Sequence, residues 1–458
     1  MRRYALILAV LACGVISGPA VNSRSALAAP LILEDSTATE SWVLSNGLKV
    51  VTRDLKGAKA VAITVCYRTG SADDPPAREG LAALLAEIAF TSPAGELPER
   101  TREEMGSLRP LGWNLKTTWR LTQLSEIAAR EKFPGVLHQV ALRMRGVTVT
   151  PESYHAALAT VRRGLAENYS DRVDRALYYR VGELAAGHGQ PAVLRYASGA
   201  GLQGVTPKEA QERLASLYVP ANAILSIAGD LSGVDLHRLL DGEFASIPAG
   251  TRLPDAHPAP RRAGTHVMPV SGLTASAGTI GIIAPALTDS LHPSFYLNML
   301  ILGSAITTLW GSPSAPLGSR FQFSILDDPD LARFYPSLSD STSDSLAVAR
   351  ELHQVFKDVP RLTLDQEAYD RIRRGVGWLL GGPLSPELIQ RAKNDPALIY
   401  NLSSSMATRE MWGGQAFWSA YRRHFEEDPD PGWQAWERYV LSRRNQVLLL
   451  LTPAPRQR

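Results

Sequence analysis

The 458-residue chain is 45% hydrophobic and 20% charged, an ordinary globular mixture with length for two or three domains. Its formal charge of +3 is carried by Arg2, Arg3 and Arg24, so the remainder is neutral. That balance speaks against a nucleic-acid or anionic-membrane footprint.

The opening residues read as an export signal. Arg2 and Arg3 precede an apolar run from Tyr4 to about Ile16, and Ala26-Leu27-Ala28 supplies an A-x-A cleavage pattern. The run is short for a membrane span. A second way out of the cell is lipoprotein processing at Cys13, although Leu11 is atypical just before it. Either route predicts an exported, periplasmic protein. With Cys13 in the leader, Cys66 is the one cysteine of the mature chain, so no internal disulfide is expected. Cys66 lies in an alternating strand and reads as a small buried side chain.

The chain then alternates strand and helix signals. Trp42–Val51 contains Asn46-Gly47 between two apolar runs, a hairpin turn. Ala60–Tyr67 is the next strand. A helix follows over 78–91, with Leu81, Leu84, Leu85 and Ile88 on one apolar face and Ala83, Ala86 and Glu87 at i, i+3 and i+4 on another. Asn114–Ile127 predicts a strand pair, and helices are expected at about 132–145 and 151–170. Thr206-Pro207 opens another helix, and Asn222–Asp230 is a strand ending in a tight turn. Residues 249–266, rich in Pro, Gly, Arg and Ala, read as a linker. Beyond them come a strand at 276–285 and a helix at 295–305. Further helices are expected at about 343–357, 364–379, 386–395 and 411–425, then a last strand at 445–451. Two halves that each begin with strands and continue into helices indicate two α+β domains.

Six segments in order carry a resemblance. They are Leu44-Ser45-Asn46-Gly47-Leu48, Tyr67-Arg68-Thr69-Gly70-Ser71, Gly80-Leu81-Ala82, Leu111–Thr117, Tyr218-Val219-Pro220-Ala221-Asn222 and Gly229-Asp230. Together they resemble the pitrilysin/insulinase family of inverted zinc peptidases, well from about 41 to 248 and only at the first strand and helix of 267–458. Between the export signal at 1–28 and the linker at 249–266, the resemblance implies an α+β domain at 29–248, with a second at 267–458. Each would be a mostly antiparallel sheet packed with helices, tandem homologues forming half of a clam shell.

In that family the helix carries H-x-x-E-H, two zinc ligands and a general base. Here the three positions are Ala83, Ala86 and Glu87. The family's third ligand, a Glu on a later helix, is matched by Glu167. One ligand of three remains, so no catalytic residue and no metal are expected, zinc belonging to the family and to a partner. No replacement site is visible: no two of the nine histidines stand at i, i+3 or i, i+4. The strand at Asn114, Leu115 and Thr117 matches the one whose edge pairs with substrate. Arg320 and Arg333 lie in the segment that supplies substrate-holding residues, but neither stands seven residues before a tyrosine. The loop from Gly303 to Arg320 is similar in position to a glycine-rich loop of the family's non-catalytic subunit, but with far fewer glycines it reads first as an ordinary surface loop. The aromatic cluster from Trp412 to Trp436 reads mainly as core.

The resemblance therefore implies the catalytically inactive, peptide-holding subunit of a heterodimer with an exported H-x-x-E-H peptidase. Three alternatives stay open: a scaffold or peptide-binding protein without a peptidase partner, a residual metallopeptidase using Glu87 and Glu167, and a structural homodimer.

Overall fold

A computed structural model describes residues 39–253, 261–310, 321–325, 328–334, 346–350, 380–382, 384–427 and 433–454. The first half contributes β1 (Thr39–Val43), β2 (Lys49–Asp54), β3 (Ala60–Tyr67), α1 (Leu81–Thr91), α2 (Arg102–Leu108), β4 (Trp113–Thr117) and β5 (Thr122–Ala129). It continues with α3 (Phe133–Arg145), α4 (Pro151–Ala166), α5 (Val173–Ala185), α6 (Gln190–Ser198), α7 (Pro207–Leu217), β6 (Ala223–Gly229) and α8 (Leu236–Phe244). The second half contributes β7 (Gly264–Val270), β8 (Ala277–Ile283), α9 (His292–Trp310), β9 (Phe321–Gln322) and β10 (Leu331–Phe334). It closes with α10 (Pro386–Asn394), α11 (Pro396–Met411), α12 (Gly414–Glu427), α13 (Trp433–Leu441) and β11 (Gln446–Pro453).

These strands form two sheets, ordered β1-β2-β6-β3-β5-β4 and β7-β11-β8-β10-β9. In each, the last strand of the half slots in beside its first long strand as the one parallel pair, β2 with β6 and β7 with β11. Every other pairing is antiparallel. Among the described residues, β7-β11-β8-β10-β9 thus repeats the order of β2-β6-β3-β5-β4.

β3 shows why its sequence is apolar throughout. All eight residues are buried because both faces are covered. Val61, Ile63, Val65 and Tyr67 face the large core that contains α1. Ala60, Ala62 and Cys66 face α11 and its neighbours.

α11 comes from the second half, and its coverage of the first sheet is reciprocated. α5, from the first half, packs Ala176, Leu177, Val181, Leu184 and Ala185 against Met268, Val270, Leu331, Val447, Leu449 and Leu451 of the second sheet. The division at 249–266 therefore separates two sheets but not two independently packed units. Residues 249–266 are also tied down on both sides of 254–260. Ala221 N donates to Ala249 O (2.9 Å), Arg262 N donates to Ala185 O (2.8 Å), and β7 already begins at Gly264. At the charged end of this segment the Arg261 side chain is buried beside Asp328, while Arg262 is exposed.

The helix expected at 411–425 is α12, and α11 and α13 were not expected. Of the helices expected at 343–357 and 364–379, residues 346–350 are helical and the rest lies outside the described residues. Trp418, Tyr421 and Trp436 are core, the expected place for most of that cluster.

Candidate functional site

α1 starts at Gly80, whose φ of 95° is open only to glycine at low cost. Asp74 caps it by accepting from Gly80 N (2.8 Å) and Ala82 N (2.7 Å). The loop before the helix is pinned because Gly70 passes so close to the β4–β5 turn that a Cβ would lie 2.4 Å from Thr118 O. Glu79 is paired with Arg195, and Glu183 with His188 at 2.8 Å. Burial pushes the Asp74 carboxyl up to about 7, against its two backbone donors.

On that helix Ala83 is half-buried and Ala86 buried, both offering only methyl groups. Glu87 is 2% exposed and fully engaged. Arg102 Nε donates to Glu87 Oε1 (2.9 Å), and Nη2 donates to Oε2 (2.5 Å). The Glu87 hydrogen bond in turn raises the Arg102 guanidinium above its ordinary value. Glu167 lies at the end of α4, where the chain widens into a π-helical turn over Glu167–Asp171. Its side chain is 50% exposed and stands 3.8 Å from Arg175.

This donor set does not fit the zinc ion of the inverted peptidases. It offers no imidazole, one carboxylate is already neutralised by a guanidinium, and the other faces a second arginine. Among the described residues, no group of three or more His, Cys, Asp and Glu side chains is placed to hold a metal.

β4 is the open edge of the first sheet, paired only with β5 among the described strands. Gly112 O accepts from Ile127 N (3.0 Å), and Thr118 N donates to Leu121 O (2.8 Å). The alternation of an antiparallel ladder then turns the backbone N–H groups of Asn114 and Lys116 toward β5, and those of Trp113, Leu115 and Thr117 outward. Side chains alternate too. Trp113 stacks on Phe90 of α1 (5.2 Å between ring centroids) and Leu115 packs on the same core, while Asn114 Nδ2 donates to Tyr400 OH of α11 (2.5 Å).

Arg333 is not beside this edge chemistry. It is buried in β10, donating to Asp328 Oδ2 (2.7 Å) over the ring of Tyr178. It belongs to a cluster where the halves meet. Arg120 pairs with Asp330 (2.5 Å) and Arg261 with Asp328 (2.5 Å). Burial alone would raise the Asp328 carboxyl, but Arg261 and Arg333 hold it below its usual value. The structure thus places this expected peptide contact in an ion-pair cluster, with Asp328 as its carboxylate partner. Arg320 lies outside the described residues, as does the 311–320 part of the loop from Gly303.

No protein-family model matches the sequence, and no curated protein does. Solved structures do. A protease from Helicobacter pylori superposes with a TM-score of 0.69 at 17% identity, over 91% of this chain and 100% of that one. The fold is that of the M16-like peptidases. The peptidase M16 inactive domain from Pseudomonas fluorescens gives 0.64 at 15% identity, over 92% and 99%. The periplasmic protease PqqL from Escherichia coli gives 0.63 at 12% identity, over 92% of this chain but 48% of that one. An M16 fold is what the six segments implied, and this chain spans about half the length of PqqL. Among the described residues no helix is long and apolar enough to cross a membrane.

Arg102 had escaped the sequence reading. Its one local signal is the capping box Thr101-x-x-Glu104, which places it at the start of α2. Its partner is fifteen residues away across a turn.

Proposed function

We propose that this chain is the non-catalytic, peptide-holding subunit of a two-chain zinc peptidase, exported with a partner that carries an intact H-x-x-E-H. The observation that carries the reading is an open edge strand, with donors at Leu115 and Thr117 turned outward, set beside a motif helix that lacks ligands. Strand addition takes its affinity from backbone hydrogen bonds and needs no metal. Engagement of both Glu87 oxygens by Arg102 speaks against a residual metallopeptidase on this chain. Leu115 and Thr117 are the peptide contacts of this reading; Asn114, turned to β5 by its backbone and to Tyr400 by its amide, would act by holding the edge in place.

The test is affinity purification from the native host, then sizing and a peptidase assay of complex and partner. Recovery with an H-x-x-E-H protein, whose cleavage of extended peptides is much weaker alone, is expected. Recovery only as monomer or homodimer sinks the heterodimer and favours the scaffold. Purified mature protein is expected to hold no stoichiometric zinc; one zinc per chain lost in Glu167→Ala overturns that. Rebuilding the motif with Ala83→His, Ala86→Glu and Glu87→His leaves the Arg102 cation beside the new ligands. Zinc affinity is therefore expected only when Arg102→Ala is added.

A further inference from the structure

We propose that Arg102 and Trp113 form a carboxylate-binding subsite on the β4 edge, selecting extended peptides with an acidic group there. The proposal rests on the reading that β4 pairs with a peptide, and it names the peptide's chemistry.

Arg102 spends two of its three nitrogens on Glu87. Its Nη1 has no hydrogen-bond partner among the described residues, and its side chain is 46% exposed. The guanidinium lies over the Trp113 ring, 5.6 Å from the centroid. Beneath Trp113 is Phe90, and beneath Phe90 is Arg143, 5.1 Å from that ring's centroid. Arg143 and Arg109 both donate to one carboxylate, Glu126. The layered group thus holds three guanidiniums and two carboxylates, a surplus of one positive charge. Arg109, Arg143 and Glu126 are largely buried, so solvent screens that surplus incompletely. Outside this group, Glu104 stays ionised and its carboxylate turns to the Thr101 backbone N–H (2.7 Å).

Geometry aims this charge at the edge. The Trp113 side chain stands on the α1 face of β4, and its backbone groups point outward. A residue of an added strand opposite Trp113 therefore puts its side chain on the same face. A carboxylate there meets the open N–H groups of Arg102, a charge-assisted bond on a guanidinium already oriented by Glu87 and Trp113. Where a metal centre would polarise a peptide carbonyl, this chain offers a cation that anchors a peptide anion.

Two sources share that chemistry, an acidic side chain and a C-terminal carboxylate. The experiment is fluorescence anisotropy of the full mature chain with extended peptides of three kinds. These are an internal Glu with an amidated end, its Gln counterpart with an amidated end, and the Gln peptide with a free end. Wild type is expected to prefer one carboxylate peptide over the neutral one by about tenfold at low salt, and by less at high salt. Whichever carboxylate peptide is preferred identifies the source. Arg102→Gln should erase the preference. Because that change leaves Glu87 buried without its partner, the double variant Arg102→Gln with Glu87→Gln, which keeps a neutral polar pair, must erase it too. Glu87→Gln alone should enlarge the preference by freeing the guanidinium, which a merely structural ion pair would not do. Equal binding of all three peptides by wild type, with Leu115→Pro weakening each, overturns the subsite and leaves strand addition standing. If no peptide binds, or Leu115→Pro binds as wild type does, strand addition fails and the subsite with it.

Discussion

Each sheet is completed by a helix from the other half, yet the two crossings differ in chemistry. α5 meets the second sheet mainly through aliphatic side chains, with Tyr178 under Arg333 as the exception. α11 meets the first sheet along a polar seam as well as an apolar one. Ser403 Oγ donates to Ser226 O (3.1 Å) and is 3.0 Å from Thr64 Oγ1, and Gln123 Nε2 donates to Thr408 Oγ1 (2.7 Å). Apolar contacts supply energy without direction, whereas buried hydroxyls and amides tolerate only one register. The polar crossing is the one that reaches the β4 edge, through Asn114 and Tyr400. The difference teaches that α5 holds the halves together and α11 sets where the edge strand lies.

Four changes break or sharpen this contrast. The largest concerns the charges between the crossings: Asp328→Ala leaves Arg261 and Arg333 buried without their shared carboxylate, at a cost of roughly 3–5 kcal/mol in denaturant unfolding. Leu177→Ala, in the apolar crossing, should cost about 2–4 kcal/mol and leave peptide affinity unchanged in the folded fraction. Ser403→Ala should cost only about 1 kcal/mol. If the two costs prove equal, the crossings do not differ as described. Tyr400→Phe, with a similar or smaller cost, should lower peptide affinity severalfold by releasing Asn114; unchanged affinity would deny α11 its role at the edge.

The smallest effect is on pH. His188 adjoins Trp119 of the β4–β5 turn (4.9 Å between centroids) and pairs with Glu183. Burial lowers its pKa, but Glu183, with Glu79 and Asp74 behind it, raises it further, for a net shift above 6.5. A raised folded value means stability present below the unfolded value and lost as pH rises through the folded one. Asp74, pushed up to about 7 by burial, adds a loss of the same sign between its ordinary value and pH 7. Thermal midpoints should therefore fall by a few degrees from pH 6 to 8. His188→Gln should flatten the part of the fall above 6.5 that His188 carries and keep the part that Asp74 carries.

Much of this fold was readable because local patterns agree with global burial. Leu81, Leu84, Leu85 and Ile88 are all core, and Asn46-Gly47 turns as its neighbours demand, Gly47 at φ 83°. α11 was missed because the pattern rule asks for apolar residues on a buried face. Its buried face includes Ser403, Ser405 and Thr408, satisfied by partners more than a hundred residues away or by its own carbonyls. The same limit hid Arg102 and the Arg120, Arg261 and Arg333 cluster. A charge looks solvated in sequence until its counter-charge is placed, and periodicity carries no record of that distance. Ala83, Ala86 and Glu87 were readable one by one; the Arg102 that engages Glu87 was not.

Cys66 gives the polar crossing a built-in clock. It is fully buried on the β3 face that meets Met406 and Ala407 of α11. A thiol there meets a reagent only when the helix lifts away, and thiolate attack then marks the event irreversibly. The rate at which a maleimide reaches Cys66 in the native protein thus counts openings of the seam without any engineered label, and a peptide seated on the edge should slow it.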